Sequence, residues 1–432
     1  MIASQTSPPL ETVKADPTFA ARWTALGALS ITLFGCYYAF DSISPLASVL
    51  SRQLHFSNYD IGLLQASYSL PNIVGILVAG IIIDRVGARK SMLAFAAIIF
   101  TGLVITALTP RVGIMASGRL FVGFGSEALA MASHVAIARW FVRSELGLAF
   151  ALRASASRLG SVTAQTSPTW IAAAYAYWQW PLFISVGFGA CCIIGTALYW
   201  LLDSQGERQF NLGQEGHKEK FVLRDILRFN RSFWLLAAIC IAFYSCTFPF
   251  QTFGQKFFID TRHSSAQVAS LLVGMEPLFS LFLMPIFGYV ADRHGKRALL
   301  MAVGSILLLP VFLMMAYTKI PPVIPMAMMG LAFALVPSVL WMSIVYVVDR
   351  TRLGFASAVV DAIQQLGLVG ANLVIGWSND HWYANVLNPH GYRPAMWIFT
   401  AFALLAAMFA IVLRHVETGP SAHGLETLRF QH

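Results

Sequence analysis

Two opposite charges lie deep inside apolar stretches of this sequence. Glu127 stands near the middle of segment 118–135, which is otherwise almost wholly apolar or small, and Arg158 stands in the next apolar stretch. A carboxylate can bind an ammonium group, and a guanidinium can bind a carboxylate through two parallel hydrogen bonds. The two residues would therefore suit a zwitterion such as an amino acid or a short peptide. The arginine alone would suit an organic anion, and the two residues could instead form a structural ion pair between neighbouring helices.

The composition indicates what surrounds these charges. The chain has 432 residues, of which 57% are hydrophobic and 11% charged, and its mean hydropathy is +0.66. Soluble globular proteins carry about 25% charged residues. Long apolar stretches recur along nearly the whole length, which is typical of a membrane protein with many spans. The five cysteines are odd in number and lack zinc-site spacing, so we expect no metal site, and no motif indicates a cofactor.

The hydropathy pattern predicts twelve transmembrane helices. Each stretch is long enough to cross a hydrocarbon layer of about 30 Å at about 1.5 Å per residue. The predicted fold is therefore an all-α membrane protein with two pseudo-symmetric bundles of six helices, at 23–202 and 232–415. A polar loop at 203–231 separates the bundles, and tails flank them at 1–22 and 416–432. The predicted helices are 23–50, 58–83, 90–109, 112–140, 145–173, 178–202, 232–259, 264–291, 298–318, 321–348, 353–380 and 392–414.

The lysines and arginines predict the orientation. If the N-terminus is cytoplasmic, 20 of the 29 fall on the cytoplasmic side and 6 on the opposite side. Because positive charge accumulates in cytoplasmic loops, we expect both termini in the cytoplasm, in a plasma membrane or a bacterial inner membrane. This distribution accounts for the net charge of +9, which therefore does not argue for nucleic-acid binding. The expected partners are the lipid bilayer, a small-molecule substrate and protons, and we expect a monomer.

The two halves of the chain repeat each other. The segment "GIIIDRVGARK" begins at Gly80 and "GYVADRHGKR" begins at Gly288, 208 residues later. The segment "SELGLAFALRASASRLGS" begins at Ser144 and "TRLGFASAVVDAIQQLGL" begins at Thr351, 207 residues later. Two matches at nearly one offset indicate a tandem duplication. Such duplication is typical of secondary transporters, whose substrate site lies near mid-membrane between the halves.

The repeated motif carries a family resemblance. The pattern G-x-x-x-D-R-x-G, after predicted helices 2 and 8, is similar to the signature of the major facilitator superfamily. Arg119, in "GRLFVGFG", resembles the arginine motif of that superfamily's fourth helix. The resemblance covers the whole chain and implies that one half rocks against the other, which exposes a central site to the two sides in turn.

Several segments resemble one branch of this superfamily, which contains the animal lysosomal dipeptide uniporter. They include "YYAFDSISPLASVL", "LGLAFALRASASRLGS" and "TFPFQTFGQKFF". In that branch a glutamate of helix 4 and an arginine of helix 5 are implicated in substrate binding, and they match Glu127 and Arg158 here. The resemblance therefore implies a peptide substrate.

Other polar and aromatic residues are predicted to line the same site. Asp41 stands in "AFDSISP", where the serines and the proline indicate a broken helix, and Asp361, Gln365 and Asn372 share one face of predicted helix 11. Aromatic side chains would supply apolar walls for the substrate. The predicted substrate-binding residues are Glu127, Arg158, Asp41, Gln365, Asn372, Tyr37, Tyr244 and Trp341.

Further ionisable residues are candidates for proton transfer and gating. Carboxyl and imidazole groups inside a membrane are expensive and often carry protons, which makes Glu276, His134 and Asp361 the candidates for proton coupling. Charges in the loops can cap helix ends and stabilise one conformer. The predicted gating residues are Asp84, Arg85, Asp292 and Arg293 in the loops, and Arg119 and Arg153 within helices.

These features favour a transporter that moves a small polar solute by alternating access, with short peptides or amino acids as the first substrate class. A carrier of organic anions, such as metabolite carboxylates or iron chelates, is the second interpretation, and drug efflux is the third. A membrane receptor that does not transport is the alternative from a different class. We do not expect an enzyme, because the sequence contains no P-loop, no HExxH and no lipase-type GxSxG motif.

Overall fold

A computed structural model describes residues 16–141, 143–210, 212, 229–349, 352–420 and 422–427. Within these ranges the chain is helical, and a single isolated β-bridge joins Asn385 to Asn388. The predicted all-α class is therefore confirmed. Most of the predicted N-terminal tail, most of the central loop and the end of the C-terminal tail lie outside the described residues.

The N-terminal half contains helices 1 to 6. Helix 1 breaks directly after Asp41, and a 3-10 turn over Ser44–Leu46 follows, because Pro45 has no N–H to donate to a continuing helix. Short helical turns at Ser167–Trp170 and Ala172–Ala176 connect helix 5 to helix 6. The bounds are Phe19–Asp41 with Ala47–Leu54 (helix 1), Asn58–Ser69 with Asn72–Val86 (helix 2), Ala88–Leu108 (helix 3), Val112–Trp140 (helix 4), Arg143–Gln165 (helix 5) and Gln179–Gln209 (helix 6).

The C-terminal half contains helices 7 to 12. A 3-10 turn at Pro389–Tyr392 connects helix 11 to helix 12. The bounds are Arg231–Arg262 (helix 7), Ala266–His294 (helix 8), Arg297–Tyr317 (helix 9), Val323–Val347 (helix 10), Leu353–His381 (helix 11) and Arg393–Glu417 (helix 12).

Not every helix is apolar enough to span a membrane by composition alone. Among the described residues, ten helices qualify, and helix 2 is an eleventh if its two bent segments count as one span. Helix 5 does not qualify, because four of its 23 residues are charged. It packs against helix 1 of its own half and helix 8 of the other half. This placement between the halves shields its charges from lipid.

Helix 6 continues to Gln209, beyond the predicted boundary at residue 202. The extension is held by ion pairs on its polar end. Arg139 of helix 4 contacts Asp203 at 2.9 Å, and Arg89 of helix 3 contacts Glu207 at 3.0 Å. The prediction from hydropathy stops where the apolar residues end, whereas these ion pairs stabilise the polar turns that follow.

The two halves meet at one end of the molecule. We call the face at which helix 1 begins and helix 12 ends the terminal face, and the opposite one the distal face. At the distal face, Asp380 of helix 11 accepts hydrogen bonds from the backbone N–H groups of Asn58 (2.8 Å) and Tyr59 (2.7 Å), in the first turn of helix 2. A Cβ atom added to Gly62 would lie 2.4 Å from the carbonyl oxygen of Asn372, so helices 2 and 11 approach closely only because Gly62 lacks one.

The terminal face differs from the distal face in this respect. Between described residues, no hydrogen bond or ion pair joins the two halves there; those that cross between the halves lie on the distal side. Among the described residues, the polar contacts between the halves therefore close the distal face.

Candidate substrate-binding site

Glu127 lies in the middle of helix 4 with its side chain half-buried. It interacts electrostatically with Arg153 of helix 5, and the Tyr68 side chain of helix 2 lies beside it. Arg153 is fixed to helix 4, because its guanidinium donates to the Ser133 hydroxyl (3.0 Å) and to the Ala130 carbonyl (3.1 Å). The glutamate thus lies where Arg153 joins helix 5 to helix 4 within the N-terminal half.

Asp361 of helix 11 faces this glutamate from the C-terminal half. The two carboxyl groups interact through space, and Oδ2 of Asp361 has no hydrogen-bond partner among the described residues. Carboxyl groups of like charge on opposite halves create a place that attracts a cation.

Arg158 of helix 5 lies between the halves. Its guanidinium carbon sits 5.3 Å from the ring centroid of Phe333 in helix 10, a cation–π distance that crosses the interface. Asp41 and Glu276 interact with it through space. Within 4.0 Å, no ion pair among the described residues joins Glu127 to Arg158. The alternative of a structural ion pair between these two residues is thus not formed in this conformation.

Aromatic side chains of the C-terminal half form a wall beside Arg158. Tyr244 stacks on Phe248 with ring centroids 5.4 Å apart, and Phe333 meets both rings edge-on. The Tyr244 hydroxyl accepts a hydrogen bond from Trp341 Nε1 at 3.1 Å. Tyr37, from the other half, interacts with the charges of Glu127 and Arg158. The predicted aromatic residues are thus brought together around the charged ones.

A chain of polar contacts closes the site towards the distal face. Gln165 Nε2 donates to Asp41 at 3.2 Å, and Gln255 Nε2 of the other half donates to the Gln165 carbonyl at 2.9 Å. The Ser44 hydroxyl donates to the backbone carbonyl of Gln251 across the same interface. Asp41 therefore lies at the sealed end of the site.

Arg119 is fully buried away from the terminal face. It donates to the carbonyls of Ala39 and Phe40, each at 2.9 Å, and to Gln65 Oε1 at 3.0 Å. The carbonyls that helix 1 exposes at its break are thus satisfied by this guanidinium. Arg119 braces the broken helix, and Arg153 braces helix 4, so neither belongs to the loops in which the other predicted gating residues lie.

Gln365 and Asn372, the other predicted polar residues of helix 11, are both buried. Oε1 of Gln365 has no partner among the described residues. Asn372 donates to its own helix, at the Leu368 carbonyl (2.9 Å), and lies at the close contact with Gly62. It therefore packs in the contact between helices 2 and 11.

The remaining predicted residues lie at or near the terminal face. Asp84 and Arg85 are exposed. Asp292 accepts from Arg297 at 2.9 Å, and Arg293 donates to the Tyr289 hydroxyl at 3.1 Å. His134 is exposed on helix 4, and its ring contacts that of Phe150 at 5.4 Å.

Sequence reasoning missed Phe333 and Gln165. Phe333 directly precedes Ala334, which occupies the position of Glu127 in the second half at an offset of 207 residues. Gln165 follows Arg158 by seven residues and therefore shares its helical face. The sequence therefore contains a signal for each residue: the repeat for Phe333 and the helical spacing from Arg158 for Gln165.

The Major Facilitator Superfamily profile matches residues 29–371 and 251–428. The lysosomal dipeptide transporter MFSD1 of Homo sapiens is 28% identical over 439 residues, which cover 96% of this chain and 92% of that protein. The MFSD1 of Danio rerio is 29% identical, over 89% of this chain and 84% of that protein. Among solved structures, a bacterial homologue of the human lysosomal transporter Spinster superposes with a TM-score of 0.73 at 16% identity, over 92% of this chain and 98% of that one.

Proposed function

The chain belongs to the Major Facilitator Superfamily, and on that premise we propose that it moves short peptides or amino acids across the membrane by alternating access. The observation that carries the proposal is the presence of opposite charges, unpaired with each other, at one interface between the halves. Glu127 and Arg158 are both half-buried, and each faces a residue of the other half.

The ammonium end of the substrate binds between Glu127 and Asp361. These carboxyl groups belong to opposite halves and interact through space. A bound ammonium group relieves the repulsion between them and draws the halves together on the terminal side. Substrate binding thus favours the conformation in which the halves lie close together on the terminal side. Without substrate, the repulsion between Glu127 and Asp361 disfavours that conformation.

The carboxylate end of the substrate binds Arg158. Its guanidinium is already oriented by the Phe333 ring, and a carboxylate can take two parallel hydrogen bonds from it. The substrate side chains then lie against the aromatic wall of Tyr244 and Phe248. Two relatives that match most of this chain are named as dipeptide transporters, which supports the same substrate class.

A second candidate is a carrier of organic anions. It is favoured by the three arginines near the interface, because a substrate with two or more carboxylates would find several positive charges there. The arginines are Arg119, Arg153 and Arg158. Two of them already donate to fixed protein groups, which favours the peptide proposal over this one.

Counterflow exchange separates the two candidates. Proteoliposomes loaded with unlabelled dialanine are diluted into radiolabelled dialanine, and matched vesicles are loaded with succinate and diluted into radiolabelled succinate. We expect exchange of dialanine by the wild type and none by Arg158→Ala. Exchange of succinate without exchange of dialanine would replace the peptide proposal by the organic-anion one. Glu145→Gln serves as the control variant, since Glu145 pairs with Arg22 at 3.2 Å, away from the site.

We further propose that the terminal face is cytoplasmic and that the protein works as a monomer in a plasma membrane or a bacterial inner membrane. The bias of lysines and arginines towards that face supports this orientation. Labelling of a cysteine introduced at the exposed Leu387, on the distal face, tests it. A membrane-impermeant maleimide added to intact cells reacts at that position if the orientation holds.

A further inference from the structure

Residues 422–427, which follow helix 12, fold back onto the terminal face of the C-terminal half. Leu425 is fully buried, and its carbonyl accepts a hydrogen bond from the Arg297 backbone N–H at 2.9 Å. The Glu426 carboxylate accepts from the Leu299 backbone N–H, also at 2.9 Å. Both contacts lie in the first turn of helix 9. The segment therefore has a fixed position over the ends of the helices.

Glu417, the last residue of helix 12, fixes the same segment from the other side. Its buried carboxylate accepts from the Ser232 hydroxyl (2.5 Å), the His423 backbone N–H (2.8 Å) and Nδ1 of the His423 ring (2.9 Å). The other ring nitrogen of His423 lies 3.0 Å from the side-chain amide of Asn230, at the start of helix 7. Helix 7, helix 12 and the segment are thus joined at one place, where protein donors satisfy the charge of Glu417.

A cavity of about 420 Å³ lies beside this junction, between the start of helix 7, the end of helix 12 and the segment. Three residues with basic side chains, Arg231, His415 and His423, are among those that line it, and none of the lining residues is acidic. The volume falls in the range of small-ligand sites, which is about 300 to 1,000 Å³. The size and the charge of the cavity suit an anionic group.

Arg231 brings a positive charge to this cavity that no carboxylate of the described residues neutralises. It is the first residue of helix 7 and is exposed, and no ion pair within 4.0 Å joins it to a described residue. The start of a helix carries partial positive charge, so a cation there is destabilised unless an anion lies nearby. The ring of His415, in the last turn of helix 12, likewise has no hydrogen-bond partner among the described residues. Both side chains are therefore available to an anion.

The cavity also lies at the level where two membrane spans end. These spans run over Arg231–Arg262 and Pro389–Glu417. Trp234, one turn into helix 7, is exposed, as is typical of the boundary between lipid and water. The phosphates of lipid head groups lie at this level, and basic pockets between spans are typical binding places for anionic head groups. A soluble phosphate ester would offer the same chemistry from the water side.

We propose that this cavity binds a phosphate group, supplied either by the head group of an anionic lipid or by a soluble phosphate monoester. The Arg231 guanidinium takes two phosphate oxygens through parallel hydrogen bonds, and the His415 ring binds the phosphate from helix 12. The bound phosphate joins the start of helix 7 to the end of helix 12 and thereby stabilises the C-terminal half. The site is separate from the central cavity between the halves and does not depend on which substrate is transported.

Thermal unfolding of the full chain in detergent at pH 7 tests the proposal. Dioleoyl phosphatidic acid is titrated into the micelles and compared with dioleoylglycerol, which differs from it only by the phosphate. Glycerol 3-phosphate is compared with glycerol in the same way, at constant ionic strength. Because a ligand that binds the folded state raises the melting temperature, each titration gives an apparent Kd. We expect saturable stabilisation by at least one of the two phosphates and by neither phosphate-free compound.

Substitutions then assign the binding to this cavity. Arg231→Gln should raise the apparent Kd by about tenfold or more, because the charged two-point contact is lost. Arg231→Lys should give a smaller increase, since lysine keeps the charge but cannot donate two parallel hydrogen bonds. Arg414→Gln is the matched control. It removes an exposed charge from the same end of helix 12, outside the cavity lining, and should change the apparent Kd by less than about twofold.

His415→Gln gives a second measurement that leaves helix 7 unaltered, and it should raise the apparent Kd by about threefold. Stabilisation by phosphatidic acid alone would identify a lipid head group as the ligand, and stabilisation by glycerol 3-phosphate would identify a soluble phosphate. Two results would overturn the proposal. One is that neither phosphate stabilises the wild type. The other is that Arg231→Gln and His415→Gln bind as tightly as Arg414→Gln, because the attraction would then belong to the whole basic face.

Discussion

The two halves of this protein share a fold but differ in the chemistry of their facing surfaces. At an offset of 207 residues, Tyr37 of helix 1 corresponds to Tyr244 of helix 7, so both halves keep an aromatic there. One turn further on, Asp41 corresponds to Phe248. The first half thus carries a carboxyl group where the second carries part of its aromatic wall.

The same divergence holds at the two central charges. Glu127 corresponds to Ala334, and Arg158 corresponds to Gln365. Ala334 is fully buried and Gln365 nearly so. The counterpart positions in the second half are thus buried without these charges. This difference supports the proposal that Glu127 and Arg158 serve a ligand, while the other half supplies the apolar contacts.

The largest effect is expected at Arg158. Arg158→Ala removes the guanidinium that we assign to the substrate carboxylate, and removing one partner of a buried charged contact costs about 3 to 5 kcal/mol. We expect dialanine exchange to fall by about a hundredfold or more.

The counterpart variant Gln365→Ala sharpens this comparison. It should lower dialanine exchange by less than about fivefold, because the proposal gives Gln365 no charge to replace. Equal losses in the two variants, at equal amounts of folded protein, would mean that the halves contribute alike to binding.

A second prediction concerns the distal contact, where the C-terminal half contributes an acid and the N-terminal half does not. Asp380 accepts from two backbone N–H groups of helix 2, whereas its counterpart 207 residues earlier is Ala173. Asp380→Asn removes a charged helix cap, worth about 1 to 2 kcal/mol. The population open at the distal face should rise by about fivefold to thirtyfold.

Electron–electron distance measurements between spin labels at Arg52 and Leu387, both exposed on the distal side, would detect this opening. Asp60→Asn is the matched control, since Asp60 caps helix 2 from within its own half through the Ser57 N–H at 2.9 Å. Gly376→Ala gives an independent check, because its added Cβ would lie 2.7 Å from the Asn58 carbonyl oxygen. A distance distribution that Asp380→Asn leaves unaltered would show that this contact does not hold the face closed.

The smallest effect is expected at the aromatic pair that both halves share. Tyr244→Phe deprives Trp341 Nε1 of its acceptor and should lower the free energy of unfolding by about 1 kcal/mol. Tyr37→Phe should change the free energy of unfolding less, because the Tyr37 hydroxyl has no hydrogen-bond partner among the described residues. Thermal unfolding of both variants in one detergent measures the difference. A larger loss in Tyr37→Phe would reverse the assigned roles.

The fold could be predicted from the sequence because its signals are regular. Hydropathy placed the helices, the repeat divided them into halves, and the serines and proline after Asp41 indicated the break in helix 1. Helix 5 was predicted at 145–173 and runs over Arg143–Gln165, although its charges make it too polar to qualify as a span by composition. Helix 6 runs past its apolar segment because ion pairs to helices 3 and 4 hold its polar end.

The site was less predictable because side-chain partners depend on how helices face each other. The sequence placed Glu127 and Arg158 inside neighbouring apolar stretches, yet Glu127 interacts with Arg153, and Arg158 faces the other half. Within its apolar helix Phe333 resembles the other core residues, and only its place in the repeat, beside the counterpart of Glu127, sets it apart. The contact of Asp380 with Asn58 joins residues 322 positions apart, which no local pattern can reveal.

The central claim is that Glu127 and Arg158 bind opposite ends of one zwitterion, and ligand-induced thermal stabilisation tests it most directly. Binding stabilises the folded state by mass action, so each variant can be compared across three ligands. These are dialanine, N-acetyl-dialanine, which lacks the ammonium group, and dialanine amide, which lacks the carboxylate.

We expect the wild type to prefer dialanine over both analogues. Glu127→Gln should lose the preference over N-acetyl-dialanine only, and Arg158→Ala should lose the preference over dialanine amide only. The account would be contradicted if each variant lost stabilisation by all three ligands alike, whichever end of the ligand is blocked. It would also be contradicted if dialanine stabilised Glu127→Gln as much as the wild type.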